Sequence, residues 1–172
     1  MRRFIARITL LAMLSATLLG SLFMTEALAV APDSITRTGG LHFVGQPDVT
    51  ATVTSTSATL TATGEVAGAG TTASATLSAT AAVTRGCVNR GSKGQEPSGL
   101  QRSFETTTGS VTFRTRSGRG SFSVTTDTIT TEGFDCPDRM TPVLVNVTFT
   151  DITLTVTSQT GTTTATFPDI VA

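Results

Sequence analysis

The chain of 172 residues has no tryptophan, no tyrosine, one histidine and two cysteines. Without tryptophan or tyrosine it lacks the aromatic platforms of most sugar sites, which argues against glycosidase chemistry. The single histidine, His42, would have to be the base of any Ser-His-Asp or Cys-His arrangement. Two cysteines and one histidine are also too few for a tetrahedral zinc site. We therefore expect a non-catalytic protein with no cofactor and no metal site.

Charge and proline are scarce as well. Charged residues are 14% of the chain, and 12 basic residues balance 12 acidic ones. This balance gives no indication of nucleic acid or a strongly charged membrane surface as a partner. With 6 prolines and a clear apolar alternation, the chain does not resemble a glycosylated stalk either. This composition therefore predicts a folded domain whose polar surface carries charges of both signs.

The one long apolar run, residues 8–24, is typical of a secretory signal peptide. Three arginines precede it, and Ala27-Leu28-Ala29 has small residues at the positions that signal peptidase recognises. We expect residues 1–29 to be removed and the protein to be secreted with no membrane attachment afterwards. The arginine pair is compatible with the general secretory or the twin-arginine route. A retained anchor is the alternative, although the run is short for a membrane span.

Threonine makes up about a quarter of residues 30–172 and alternates with small aliphatic residues. In the stretch 49–54, Val49, Ala51 and Val53 alternate with threonine, and this period of two predicts strands with one buried face. We expect residues 39–172 to form one all-β domain, an antiparallel β-sandwich of immunoglobulin-like architecture with about eight or nine short strands. Residues 30–38 show no period and are predicted to be a flexible N-terminal lead-in.

Two local features are predicted within that domain. The alternating stretches 111–113 and 122–124 flank turn residues 117–120 and indicate a hairpin. Further along, the apolar positions change from odd to even numbers at Thr150-Asp151. This change indicates a bulge, or a strand that bends from one sheet into the other.

Three stretches carry a resemblance: LHFVGQP at 41–47, LTATGEVAG at 60–68 and VTFTDITLTV at 147–156. They are similar to uncharacterised small secreted Thr-rich β-sandwich proteins of actinobacteria. The resemblance covers most of the mature chain. It implies export and a β-sandwich but no particular activity.

Cys87 and Cys136 are the only cysteines, and export would place them in an oxidising compartment. We expect them to form one intramolecular disulfide, with free or intermolecular thiols as the alternative. Closing a loop of about fifty residues is worth about 4 kcal/mol in the chain-entropy model. The bond would join two segments predicted to be loops, 86–101 and 131–142.

The end joined by this disulfide is the predicted binding region, because binding residues concentrate on loops held by a rigid scaffold. The competing interpretation is solvated loop charge without a ligand. The acidic candidates could also offer oxygen ligands to calcium, although their spacing does not match an EF-hand. The candidates are the charged residues around the two cysteines: Arg85, Arg90, Lys93, Glu132, Asp135 and Asp138.

We therefore predict a secreted, non-catalytic module with a binding or structural role outside the cell or at the cell envelope. One alternative is a small-molecule binder with an apolar cleft between the sheets, lined by Phe113, Phe122 and Val124. Less favoured alternatives are a hydrolase centred on His42 and an ice-binding surface made of Thr-x-Thr runs. The sequence does not name the ligand or partner.

Overall fold

The computed structural model of the chain describes residues 29–89 and 96–172, and this part contains strands and no helix. It has more strands than the eight or nine expected, and β6, β7 and β10 are not short, with 18, 17 and 19 residues. The strands are β1 (Ala29–Val30), β2 (Ser34–Gly39), β3 (His42–Phe43), β4 (Asp48–Val53), β5 (Ser57–Ala67), β6 (Thr72–Asn89), β7 (Ser98–Arg114), β8 (Gly120–Thr125), β9 (Ile129–Thr130), β10 (Met140–Ser158), β11 (Gly161–Thr166) and β12 (Ile170–Val171).

The strands form two antiparallel sheets. Sheet A is built around β5, which pairs with β4 and β3 along one edge and with β8 and β9 along the other, while β1 pairs with β4. Sheet B has the order β2-β11-β10-β6-β7, and β12 also pairs with β10. The described part of the chain contains no helix long and apolar enough to cross a membrane.

The core lies between the two sheets and is built from the small aliphatic half of the alternating pattern. Leu60 and Val66 of sheet A are fully buried, as are Leu77, Phe149 and Leu154 of sheet B. The alanines of β6 point into the same space, and their small side chains allow the larger ones of the opposite sheet to pack against the strand. The predicted β-sandwich is confirmed.

Threonine supplies the other half of the pattern, and its hydroxyl groups pair across neighbouring strands. The Oγ1 atoms of Thr61 and Thr125 lie 2.9 Å apart across β5 and β8. The Oγ of Ser74 lies 3.1 Å from Oγ1 of Thr112 across β6 and β7. Such cross-strand pairs contribute about 0.2–1 kcal/mol each, so the threonine-rich faces help to hold the sheets together.

The predicted irregularity at Thr150-Asp151 is a bulge within β10. The pairing of β10 with β6 shifts between Thr150 and Thr153, and Asp151 has a φ of 53°. The strand stays in sheet B on both sides of the bulge, so it does not bend into the other sheet. The extra residue changes the parity of the strand, and Phe149 and Ile152 therefore both face the core.

The predicted hairpin across 117–120 forms only at its turn, where Arg116 and Arg119 exchange backbone hydrogen bonds, and the predicted pairing of the flanking strands is wrong. β7 pairs with β6 in sheet B, whereas β8 pairs with β5 in sheet A, so the turn carries the chain from one sheet to the other. The ring centroids of Phe113 and Phe122 lie 5.6 Å apart, because the two strands face each other across the core. Alternation marks the inward side of a strand, but it does not say which strand lies next to it.

The predicted lead-in also contains a strand. β2 pairs with β11 over six residues, from Ser34 opposite Thr166 to Gly39 opposite Gly161. All six residues of β2 are exposed, so no buried face imposes a period on its sequence. Most of the predicted signal peptide, residues 1–28, lies outside the described residues. Its last predicted residue, Ala29, pairs with Thr50.

Candidate functional site

The predicted disulfide is confirmed. Cys87 and Cys136 are bonded, with their Cα atoms 5.8 Å apart. The two segments that they join are shorter than expected, because β6 continues to Asn89, β7 begins at Ser98 and β10 begins at Met140. The bond therefore attaches the irregular segment 131–139 to the end of β6.

Arg85 lies two residues before the buried cysteine of β6, and its guanidinium reaches into the space between the two sheets. Nε and Nη2 donate hydrogen bonds to the backbone carbonyl of Thr130 in β9, at 3.1 and 2.8 Å. Nη1 donates to Oγ of Ser103 in β7 at 2.8 Å. The side chain is 13% exposed and connects sheet B to sheet A.

Glu105 of β7 completes this polar group. Its Oε1 lies 2.6 Å from Nη1 of Arg85 and accepts a hydrogen bond of 3.1 Å from Ser103. The hydrogen bond from Arg85 holds the pKa of the Glu105 carboxyl below its usual value of 4.5, and the Ser103 hydroxyl acts in the same direction. Partial burial opposes them, so the carboxylate is stabilised mainly by its partners.

The lowered pKa predicts a contribution of Glu105 to stability that depends on pH. The folded state favours the carboxylate, so this contribution is present above the usual pKa and disappears as the pH falls through the lowered one. We expect Glu105→Gln to lose less unfolding free energy than the parent protein on acidification below pH 4.5. Urea unfolding across that range measures the difference. Asp48→Asn, at an exposed position of β4, is the control and should follow the parent curve.

Two clefts lie on either side of the Arg85–Glu105 pair. The first has a volume of about 260 Å³ and is lined by residues of β7 and by Glu132, Gly133 and Phe134. The second has about 270 Å³ and is lined by β7 and by residues 127–130. Arg85, Glu105 and Glu132 border both clefts, so a ligand in either one would meet the same charged groups.

The structure brings together only some of the predicted candidates. Arg85 and Glu132 border the clefts, whereas Asp135 and Asp138 are exposed and line neither of them. Arg90 and Lys93 lie outside the described residues. Within residues 29–89 and 96–172, no three His, Cys, Asp or Glu side chains are grouped so that they could hold a metal ion.

Sequence reasoning missed Glu105 and the neighbouring polar residues of β7. The odd positions of residues 101–109 are Gln101, Ser103, Glu105, Thr107 and Gly109, so no apolar alternation marks the inward face of this stretch. Local sequence therefore gave no signal for Glu105, which the register brings near Arg85 of the adjacent strand. The register was needed to identify the pair.

The residues of the alternative predictions lie elsewhere. His42 is exposed, and its Nδ1 lies 3.0 Å from the carbonyl oxygen of Gly40. Phe122 and Val124 are buried, and the Phe122 ring packs against those of Phe43 and Phe113, so these residues fill the core and line neither cleft.

Comparisons with protein-family models, with curated proteins and with solved structures found no match to this chain.

Proposed function

We propose that this protein is a secreted, non-catalytic module that binds a component outside the cell or at the cell envelope. The binding surface is the end of the sandwich joined by Cys87 and Cys136. The observation on which this rests is the Arg85–Glu105 pair, held between two clefts and bordered by Glu132. A disulfide and three strands hold these groups in place, which is how rigid scaffolds present binding residues.

The chemistry of the cleft walls indicates a polar ligand. The lining of the first cleft includes Gln101, Arg102, Glu105 and Glu132. Donors and acceptors lie side by side, which suits a ligand whose groups both donate and accept hydrogen bonds. Hydroxyl-rich and amide-rich polymers of a cell envelope have this character. We therefore favour a polymeric, hydrogen-bonding ligand over an apolar small molecule.

Export is part of the proposal and rests on the signal-like residues 1–29. The disulfide is consistent with it, since such bonds persist in oxidising compartments. The proposed membership of a group of secreted actinobacterial sandwiches rests on the sequence resemblance alone. The immunoglobulin-like description rests on the two packed antiparallel sheets.

A pull-down tests the proposal. The purified mature protein is immobilised and exposed to cell-wall fractions and culture supernatant, with and without calcium. We expect enrichment of one fraction, and Glu132→Arg should reduce the captured amount by about tenfold, as expected for the loss of about 1.4 kcal/mol. Asp48→Arg makes the same charge change on an exposed residue of β4 and should capture as much as the parent. Absence of enrichment in every fraction, or equal capture by both variants, would contradict the proposal.

A further inference from the structure

We propose that β7 is a dimerisation edge, and that its residues 100–106 pair antiparallel with the same residues of a second copy of the chain. β7 is the last strand of sheet B on one side. Its backbone is bonded to β6 on its inner side, and between Ser98 and Thr106 no strand of the described residues lies on the other side. A free edge of this length is a ready template for another strand.

Next to this segment, the β7 edge is covered by the chain itself at Thr107 and Thr108. The N–H of Asp127 donates to the carbonyl of Thr108 at 2.8 Å, and the hydroxyl of Thr107 donates to the carbonyl of Asp127 at 2.8 Å. At Gly109 the chain passes so close that an added Cβ would lie 2.0 Å from the carbonyl oxygen of Thr125. The covering segment reaches Thr107 and goes no further toward Ser98. The open part of the edge is therefore the part near the disulfide.

Apolar side chains are exposed beside the open edge. Among the described residues, Leu100 and Phe104 of β7 and Val145 of β10 are exposed to 58%, 69% and 41%. Leu100 and Val145 both lie next to Gly86, on the face of sheet B that points away from the core. Exposed apolar side chains beside an unpaired edge are what natural edge strands usually avoid, and this marks the edge as open to pairing with another strand.

The sequence of the segment is complementary to itself when the two-fold axis passes beside Ser103. If the two-fold axis passes beside Ser103, Arg102 lies opposite Phe104 of the second copy, and Gln101 lies opposite Glu105. Each of these pairs occurs twice, once on each side of the axis. The guanidinium of Arg102 already lies 5.1 Å from the centroid of its own Phe104 ring, so the two groups attract within one copy as they would across the interface.

The neighbouring register is less favourable. An axis beside Arg102 would place the two Arg102 side chains directly opposite each other, and like charges in that position are destabilising. The charge pattern therefore favours the axis beside Ser103 over the axis beside Arg102. The product would be a continuous sheet that runs through β7 of both copies, with the three exposed apolar residues of each copy on one face.

Two variants at one position test the register. Sedimentation velocity over a concentration series should show a dimer of the parent protein. Phe104→Arg places a second cation opposite Arg102 on both sides of the axis, and we expect its dissociation constant to rise by about tenfold or more. Phe104→Glu removes the same ring but places an anion there, and its dimer should persist with a dissociation constant within about threefold of the parent value.

Three results would overturn the proposal: a parent protein that stays monomeric at hundreds of micromolar, equal dimerisation of Phe104→Arg and the parent, or an equal loss of dimer affinity in both variants.

A cross-link gives a second measurement. Ser103→Cys should form a disulfide-linked dimer under mild oxidation, since the two thiols would meet at the axis. Ser110→Cys, on the same strand beyond the open edge, should not. Equal cross-linking at both positions would contradict the register.

Discussion

Replacing both Cys87 and Cys136 with serine is expected to lower the free energy of unfolding by about 4 kcal/mol. The two residues are 49 positions apart, so their bond removes much of the freedom of the unfolded chain. It also attaches the segment 131–139, which contains no strand, to the end of β6. Urea unfolding of the parent and the double variant at neutral pH measures the difference.

Reductant provides the control for this experiment. The reduced parent protein should show about the same loss as the double variant, because both lack the same bond. The double variant itself should not respond to reductant. A loss of less than about 1 kcal/mol would mean that the strand pairings alone hold the segment in place, contrary to our account.

Truncating Phe149 to alanine is expected to cost about 3–5 kcal/mol. Phe149 is fully buried in β10, opposite Ala81 on one side and Ile170 on the other. The core cluster to which it belongs contains several alanines, and Ala81 beside it cannot extend into the space that the ring leaves. A cavity would therefore remain, and its cost adds to the lost burial of the ring.

Phe104→Ala is the matched control, because it removes the same ring from a position that is 69% exposed. At concentrations below the dissociation constant of the proposed dimer, we expect this variant to change the unfolding free energy by less than about 1 kcal/mol. Thermal or urea unfolding of the two variants under identical conditions gives the comparison. Similar losses for both would show that Phe149 is not at the centre of a packed interior.

The features predictable from sequence were those that depend on the period of two. Alternation of threonine with small aliphatic residues predicted strands with one buried face, and a change of parity at Thr150 predicted the bulge. The disulfide followed from the number of cysteines and the expected compartment. β2 was missed because an edge strand exposed on both faces has no such period.

Strand neighbours could not be predicted, because pairing depends on contacts between residues far apart in sequence. The turn at 117–120 is compatible with a hairpin and with a crossing between sheets, and local sequence does not distinguish them. Local sequence is insufficient for the candidate site as well, because its residues come from different strands. Arg85 and Glu132 were predicted from their closeness to the cysteines, whereas Glu105 joins them through the pairing of β6 with β7.

β7 and β8, adjacent in sequence, lie in different sheets that pack face to face, and the whole fold depends on this arrangement. Backbone nuclear Overhauser contacts test it directly. We expect ladder contacts that place Val111 opposite Ala75 and Val124 opposite Ala62, as the two sheets require. A continuous ladder of backbone contacts between 111–114 and 120–124 would show a hairpin within one sheet and would contradict the account.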